Sequence, residues 1–183
     1  MAFSIDAIQS DWSLFLDRDG VINIEKNEDY IRNWEEFHFY PNSLKALALL
    51  ATKFSTIVIT TNQKGVGKGF MSESDLQNIH DNMKREVIQS GGRIDEIFYC
   101  TDLDNLSVNR KPQAGMAIQA QKKFPSIDFK KSIMVGNRLS DMQFGRNAGM
   151  YTCFVATTHP ETPYPHIDID IRFNDLFSFA EAL

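Results

Sequence analysis

The chain has 183 residues, 43% of them hydrophobic and 23% charged, which fits an ordinary globular protein with one core. Its formal net charge of -5 argues against a nucleic-acid scaffold, which presents a basic face to phosphates. No apolar stretch is long enough to cross a bilayer, and residues 1–6 lack the basic and apolar pattern of a secretory leader, so a cytoplasmic protein with reduced Cys100 and Cys153 is expected.

Ser13-Leu14-Phe15-Leu16 is a short apolar run that reads as a buried strand of a parallel sheet, and it delivers Asp17 and Asp19, with Gly20 turning the backbone behind them. Residues 21–40 are polar and aromatic by turns with no clean period, and read as a long loop or small hairpin forming a flap over the strand end. Pro41 opens a helix carrying Leu44, Leu47 and Leu50 at helical spacing. Residues 55–60 are β-branched and apolar and predict a second buried strand, which runs out into the basic, glycine-rich turn 61–69. That turn lacks the spacing of a nucleotide-binding P-loop, so Lys64 and Lys68 are either substrate contacts or solvated loop lysines. Ser72 offers an N-cap for a helix reaching Gly91-Gly92.

Residues 94–100 predict a third strand, and the polar loop 101–109 leads to Arg110-Lys111-Pro112, with Pro112 starting a helix through Lys123. Within that loop Asn105-Leu106-Ser107 has the form of a glycosylation acceptor, read as coincidence in a cytoplasmic protein. Residues 132–136 predict the fourth strand, Asn137 to Asp141 open the next helix, and 150–156 form a fifth strand. An irregular loop at 157–166, a short edge strand at 168–171 and a helix from Leu176 complete the chain. Strands alternating with helices predict an α/β, Rossmann-like three-layer sandwich with a mainly parallel sheet, one domain over residues 1–183. The loops at Asp17, Thr61, Lys111 and Asn137 then share one edge.

Two carboxylates packed at ~4 Å repel by about 4 kcal/mol at an effective dielectric near 20, so a proton or a cation must sit with them, and Mg²⁺ is the usual partner beside phosphate. An ionised Asp17 could attack phosphorus, and Asp19 could pass a proton to the leaving oxygen and later activate water. Thr61 and Asn62 lie at a strand end suited to phosphate oxygens. Lys111 offers a charge to both nucleophile and phosphoryl group, and Arg110 a fork for a second anion. Asn137 and Asp141, four apart at a helix start, face one side and can reach a metal or its waters; Asn137 can equally serve as an N-cap.

In chain order, Asp17-Arg18-Asp19-Gly20, Thr61-Asn62-Gln63, Arg110-Lys111-Pro112 and Gly136-Asn137-Arg138-Leu139-Ser140-Asp141 resemble the four motifs of the haloacid dehalogenase (HAD) superfamily of phosphotransferases. Within it the chain is similar to the D-glycero-D-manno-heptose 1,7-bisphosphate phosphatases and the related histidinol-phosphate phosphatases, through Val21-Ile22-Asn23 after the first motif, Gly115-Met116 after the third and Met142-Gln143 after Asp141. The resemblance implies a HAD-like fold without a large cap. It also implies Mg²⁺ held by the Asp17 carboxylate, the Asp19 carbonyl and position 137, with Asp141 close by, and phosphate held by Lys111 and Thr61. Arg18, Gly20, Asn62, Gln63, Lys64, Arg110 and Arg138 are the expected substrate contacts, with Arg110 and Arg138 setting specificity.

Two departures from the family pattern stand out. Its zinc loop of cysteines and a histidine is reduced to Cys100, so no zinc is expected. Asn137 stands where the pattern has aspartate, removing a negative charge from the metal site. The expectation is a Mg²⁺-dependent phosphomonoesterase working through an aspartyl-phosphate on a phosphorylated sugar, heptose bisphosphate first. The alternatives are histidinol phosphate as substrate, or a weakly active or inactive phosphate-binding protein. Such a protein meets a small phosphorylated substrate, no nucleic acid and no membrane, as a monomer or small homo-oligomer.

Overall fold

The computed structural model describes residues 3–183, so Met1 and Ala2 of the N-terminal stretch lie outside it. Six strands form one sheet: β1 (Ser13–Leu16), β2 (Thr56–Asn62), β3 (Glu96–Cys100), β4 (Ser132–Gly136), β5 (Tyr151–Val155) and β6 (Ile171–Phe173). Their order is β3-β2-β1-β4-β5-β6, and every pairing is parallel. Parallel neighbours require crossovers, which are supplied by α1 (Ser43–Ala51), the short α2 (Lys64–Gly67), α3 (Glu73–Gln89), α4 (Gly115–Lys123) and α5 (Leu139–Ala148), with α6 (Leu176–Glu181) closing the chain.

Side chains alternate across a strand, so β1 sends Leu14 and Leu16 to one face and Phe15 to the other. In register with them, Ile57, Ile59, Ile133 and Val135 join the first face, which is covered by Leu47 and Leu50 of α1, Ile79 and Met83 of α3 and Phe179 of α6. Val58 and Met134 join Phe15 under Met116 and Ala120 of α4 and Phe144 of α5. The result is the expected three-layer sandwich. Phe15 is fully buried, and truncating such a side chain to alanine costs about 3–5 kcal/mol. No helix among the described residues is long and apolar enough to cross a membrane.

β1 is central, with β2 and β3 on one side and β4, β5 and β6 on the other. The order of the chain reverses beside β1, and the crevice beyond its carboxyl end is where ligands bind in such sheets.

Four local expectations need correction. β2 continues through Thr61 and Asn62, and the glycine-rich turn holds the short α2. Pro112 does not start a helix: α4 begins at Gly115, whose N–H donates to the Val108 carbonyl at 2.8 Å and so folds the preceding loop back first. The edge strand is Ile171–Phe173, not 168–171. There the Asp170 carboxylate accepts from the Thr152 N–H at 2.9 Å and from Arg146 at 2.8 Å, so side chains dock this stretch before regular pairing starts. Finally, Asn137 is no N-cap. Arg138 holds that position, its N–H donating to Asp141 Oδ2 at 3.0 Å.

Candidate active site

The loop after β1 folds tightly around one carbonyl. The N–H groups of Val21, Ile22 and Asn23 all donate to Arg18 O, at 3.3, 2.9 and 3.2 Å, and Gly20 N donates to Asn23 O at 2.8 Å. This requires φ of +85° at Gly20, a conformation open to glycine. A Cβ at Gly20 would also lie 1.9 Å from Asn137 Nδ2. Gly20 therefore makes room for Asn137; it does not line the cavity as a substrate contact would.

Asp17 and Asp19 sit on either side of Arg18. Lys111 Nζ donates to Asp17 Oδ1 at 2.8 Å, to Asp141 Oδ1 at 2.7 Å and to the Thr60 carbonyl at 2.7 Å, so its three protons are all engaged. Burial opposes charge on this ammonium, but Asp141 and Asp17 more than offset it and hold Lys111 above the usual lysine range. One lysine cannot neutralise two carboxylates. Burial and the neighbouring Asp141 charge push Asp17 up to about 7, against the partial opposition of Lys111.

Asp19 has the opposite environment. Its carboxylate accepts from Arg18 at 2.9 and 3.0 Å, from Asn23 Nδ2 at 2.9 Å and from Gln63 Nε2 at 2.9 Å. Burial raises its proton affinity, yet the Arg18 charge and these hydrogen bonds win and hold it below the usual carboxylate range.

Arg18 is 1% exposed and does not line the cavity, which overturns its expected role as a substrate contact. Its guanidinium is spent on Asp19, on Gln63 Oε1 at 3.3 Å and on His80 Nε2 at 3.2 Å. Burial and the Arg18 charge push His80 down to about 3, so its ring is a neutral acceptor. The sequence reading missed His80, which sits on the buried face of α3 with Leu76, Ile79 and Met83. A histidine within that apolar stripe was the available signal.

Asn62 and Gln63 also turn out to be supports. Asn62 lines the cavity, but Lys111 N donates to its Oδ1 at 3.1 Å and its Nδ2 donates to Lys111 O at 3.2 Å. Gln63 ties Asp19 to Thr61 Oγ1, to which Nε2 donates at 2.9 Å. Since Thr61 Oγ1 accepts there, its own proton remains free for a ligand. Asp141 spends Oδ1 on Lys111 and Oδ2 on its helix cap, so both of its oxygens already have partners.

Asn137 is fully buried. Its Nδ2 donates to Thr158 Oγ1 at 2.6 Å, while Oδ1 has no hydrogen-bond partner among the described residues. A buried, unpaired carbonyl oxygen is costly unless something electropositive completes it. Taken with the surplus negative charge on the Asp17, Lys111 and Asp141 cluster, this donor set fits a hard divalent cation.

A cavity of about 490 Å³ opens over these groups. Residues 25, 26 and 28–31 line it, together with the acids Asp17, Asp19 and Asp141 and with Lys64, Asn105, Arg110 and Arg138. Asn105, read from the sequence only as part of a chance glycosylation acceptor, accepts through Oδ1 from both Lys64 Nζ and Arg110 Nε, each at 3.3 Å. Arg138 pairs with Glu25 of the loop 21–40 at 3.1 Å.

Known proteins share this architecture. A family model described as HAD-hydrolase-like matches residues 108–164. The chain is 34% identical over 173 residues to a D-glycero-alpha-D-manno-heptose-1,7-bisphosphate 7-phosphatase of Mycobacterium bovis, covering 94% of this chain and 91% of that one. It is 39% identical over 140 residues to the like-named protein of Campylobacter jejuni, covering 76% and 79%. Among solved structures, the D,D-heptose 1,7-bisphosphate phosphatase of B. bronchiseptica, complexed with magnesium and phosphate, superposes with a TM-score of 0.83 at 31% identity over 93% of this chain and 96% of that one.

Proposed function

The chain belongs to the family of the D-glycero-D-manno-heptose-1,7-bisphosphate 7-phosphatases, within the HAD-like hydrolases, and from that membership we propose that it removes the 7-phosphate of heptose 1,7-bisphosphate with the help of Mg²⁺. The observation that carries this reading is Lys111 bridging Asp17 and Asp141 at a cavity that Lys64, Arg110 and Arg138 also line.

Asp17 is the nucleophile. One of its carboxylate oxygens bonds to phosphorus, and the bond from phosphorus to the sugar oxygen breaks. Asp19 is held ionised in the free site, so it first takes up a proton from solvent as substrate binds, passes it to the leaving oxygen, then removes a proton from water, whose oxygen attacks the aspartyl-phosphate, releases inorganic phosphate and restores Asp17. Arg18 and Gln63 keep the Asp19 carboxylate aimed for this exchange. The free Thr61 proton suits a phosphoryl oxygen, and Lys111 acts as a fixed positive charge beside the nucleophile. Asp17, the Asp19 carbonyl and Asn137 Oδ1 would hold Mg²⁺, which supplies charge neutralisation for nucleophile and phosphoryl group when bound.

Lys64 and Arg110, joined by Asn105, and Arg138, joined to Glu25, form the side of the cavity suited to the rest of the substrate. Residues 21–40 act as a flap on a single domain. Zinc is not required: the loop 101–109 has neither cysteine nor histidine, and burial raises the Cys100 thiol, keeping it protonated. A cytoplasmic monomer or small homo-oligomer, binding neither nucleic acid nor membrane, suits this chemistry.

The test is phosphate release from heptose 1,7-bisphosphate and from histidinol phosphate, each with Mg²⁺ and with a chelator. Mg²⁺-dependent turnover of the heptose ester in preference to histidinol phosphate is expected. Preference for histidinol phosphate, or equal rates in the chelator, would overturn the assignment.

A further inference from the structure

Of the three side chains that donate to the Asp19 carboxylate, Arg18 alone is cationic. It lies side-on to the acid: Nη2 donates to both oxygens, at 2.9 and 3.0 Å, and Nε donates to Oδ1 at 3.3 Å. Nη2 also donates to Gln63 Oε1 at 3.3 Å, and because arginine has no acceptor this bond turns the Gln63 amide so that Nε2 faces Asp19. Two of the three holders of Asp19 therefore depend on how the guanidinium is set. Its other end, Nη1, donates to His80 Nε2 at 3.2 Å. An arginine can only donate, so Nε2 accepts and the ring proton sits on Nδ1. His80 is buried on α3 beside Leu76, Ile79 and Met83, with the Tyr99 ring 5.8 Å away, and the flap's Phe37 ring lies 6.0 Å from Arg18 Cζ.

We propose that His80 is a positioning residue for the reaction: its ring nitrogen fixes the Nη1 end of Arg18, and Arg18 in turn sets the Asp19 carboxylate for its proton transfers. The inference rests on the reading of Asp19 as the group that passes a proton to the leaving oxygen. The chemistry of the contact accounts for the residue type. An apolar side chain at position 80 would leave a buried, charged N–H without its acceptor, which is costly. A carboxylate there would compete with Asp19 for the charge of the guanidinium. A neutral imidazole satisfies the donor and leaves that charge to Asp19. His80 touches neither substrate nor Asp19; it acts through Arg18, from a helix packed behind the catalytic loops.

The experiment is steady-state kinetics of the full chain with Mg²⁺ on heptose 1,7-bisphosphate and on p-nitrophenyl phosphate, with melting temperatures as a check on folding. His80→Leu and His80→Phe remove the acceptor in two different shapes, so one folded variant suffices, and His80→Gln restores an acceptor. A sugar alkoxide needs a proton to leave and a nitrophenolate does not, while kcat/KM covers only the steps up to that departure. Loss of the acceptor is expected to lower kcat/KM on the heptose ester by roughly tenfold to a hundredfold, and on the aryl ester by less than about threefold. His80→Gln should bring the heptose ester back to within about threefold of the parent chain. General loosening of the core would slow both esters alike. Equal losses on the two esters, a parental rate on the heptose ester without the acceptor, or a glutamine variant as slow as the leucine variant would overturn the role of His80. If the parent chain leaves the aryl ester untouched, recovery or its absence in His80→Gln decides on the heptose ester alone. If Asp19→Asn loses no more on the heptose ester than on the aryl ester, or if the parent chain turns over neither, the reading of the reaction itself fails and takes this inference with it.

Discussion

Asn62 holds Lys111 by its backbone: the Lys111 N–H donates to Asn62 Oδ1 at 3.1 Å, and Asn62 Nδ2 donates to the Lys111 carbonyl at 3.2 Å. The last residue of β2 thereby places the ammonium that bridges Asp17 and Asp141. Asn62→Ala frees that segment, and misplacing a charge by ~1 Å beside a reacting group costs on the order of a hundredfold in rate. Steady-state kinetics should show kcat falling with KM little changed. A rise in KM at constant kcat would identify Asn62 as a ground-state substrate contact instead.

Asp17→Asn should abolish turnover and alter the pH dependence of stability without metal. Burial and Asp141 raise Asp17 to about 7 from an ordinary 3.8, so the folded chain binds the extra proton between those values. Its contribution is present at low pH and lost as pH rises from about 4 to 7, with a slope of up to about 1.4 kcal/mol per pH unit. Denaturant unfolding in chelator across that window should show the decline in the parent chain and a flatter curve in Asp17→Asn. Matching slopes would mean that Asp17 is already neutralised by Lys111.

His80 has the opposite sign. Burial and Arg18 depress it to about 3, below an unfolded value of 6.5, so the unfolded chain takes up the proton first as pH falls. The stability is present above about 6.5 and lost toward pH 3, at up to about 1.4 kcal/mol per unit. His80→Gln keeps an acceptor for Arg18 and removes the titration. Unfolding free energies at pH 4 and 6.5 should differ less in this variant than in the parent, and an unchanged difference would count against a neutral buried ring.

Gly20→Ala tests the turn. The new Cβ would meet Asn137 Nδ2 at 1.9 Å, and φ is +85°. Overpacking and left-handed strain together should cost about 2–4 kcal/mol. A larger relative loss of Mg²⁺ affinity than of melting temperature is expected, because the side chain displaced is Asn137. A variant with parental stability would show that the turn relaxes freely.

Much of this was legible in the chain. Apolar β-branched runs separated by helical periodicities specify parallel strands with crossovers, and parallel crossovers bring the ends of β1, β2 and β4 to one edge whatever the details. Asp17, Asp19, Thr61 and Lys111 could therefore be gathered before any coordinates. Roles within the cluster were less accessible. Arg18 and Asn62 sit inside motifs whose neighbours line the cavity, yet one side chain turns inward to His80 and the other closes on the Lys111 backbone.

Local periodicity records which side of an element meets the core, so the sheet, its two apolar faces and the edge at which charged residues collect follow from the order of residues in the chain. The partners come from the folded arrangement: Arg18 with His80, Asn62 with Lys111, Asn137 with Thr158. These pairs join residues on different elements, and which polar atoms meet depends on how whole strands and loops are set against each other. No local pattern carries that, so the supports of the site, and the free oxygen of Asn137, became visible only once the chain was folded.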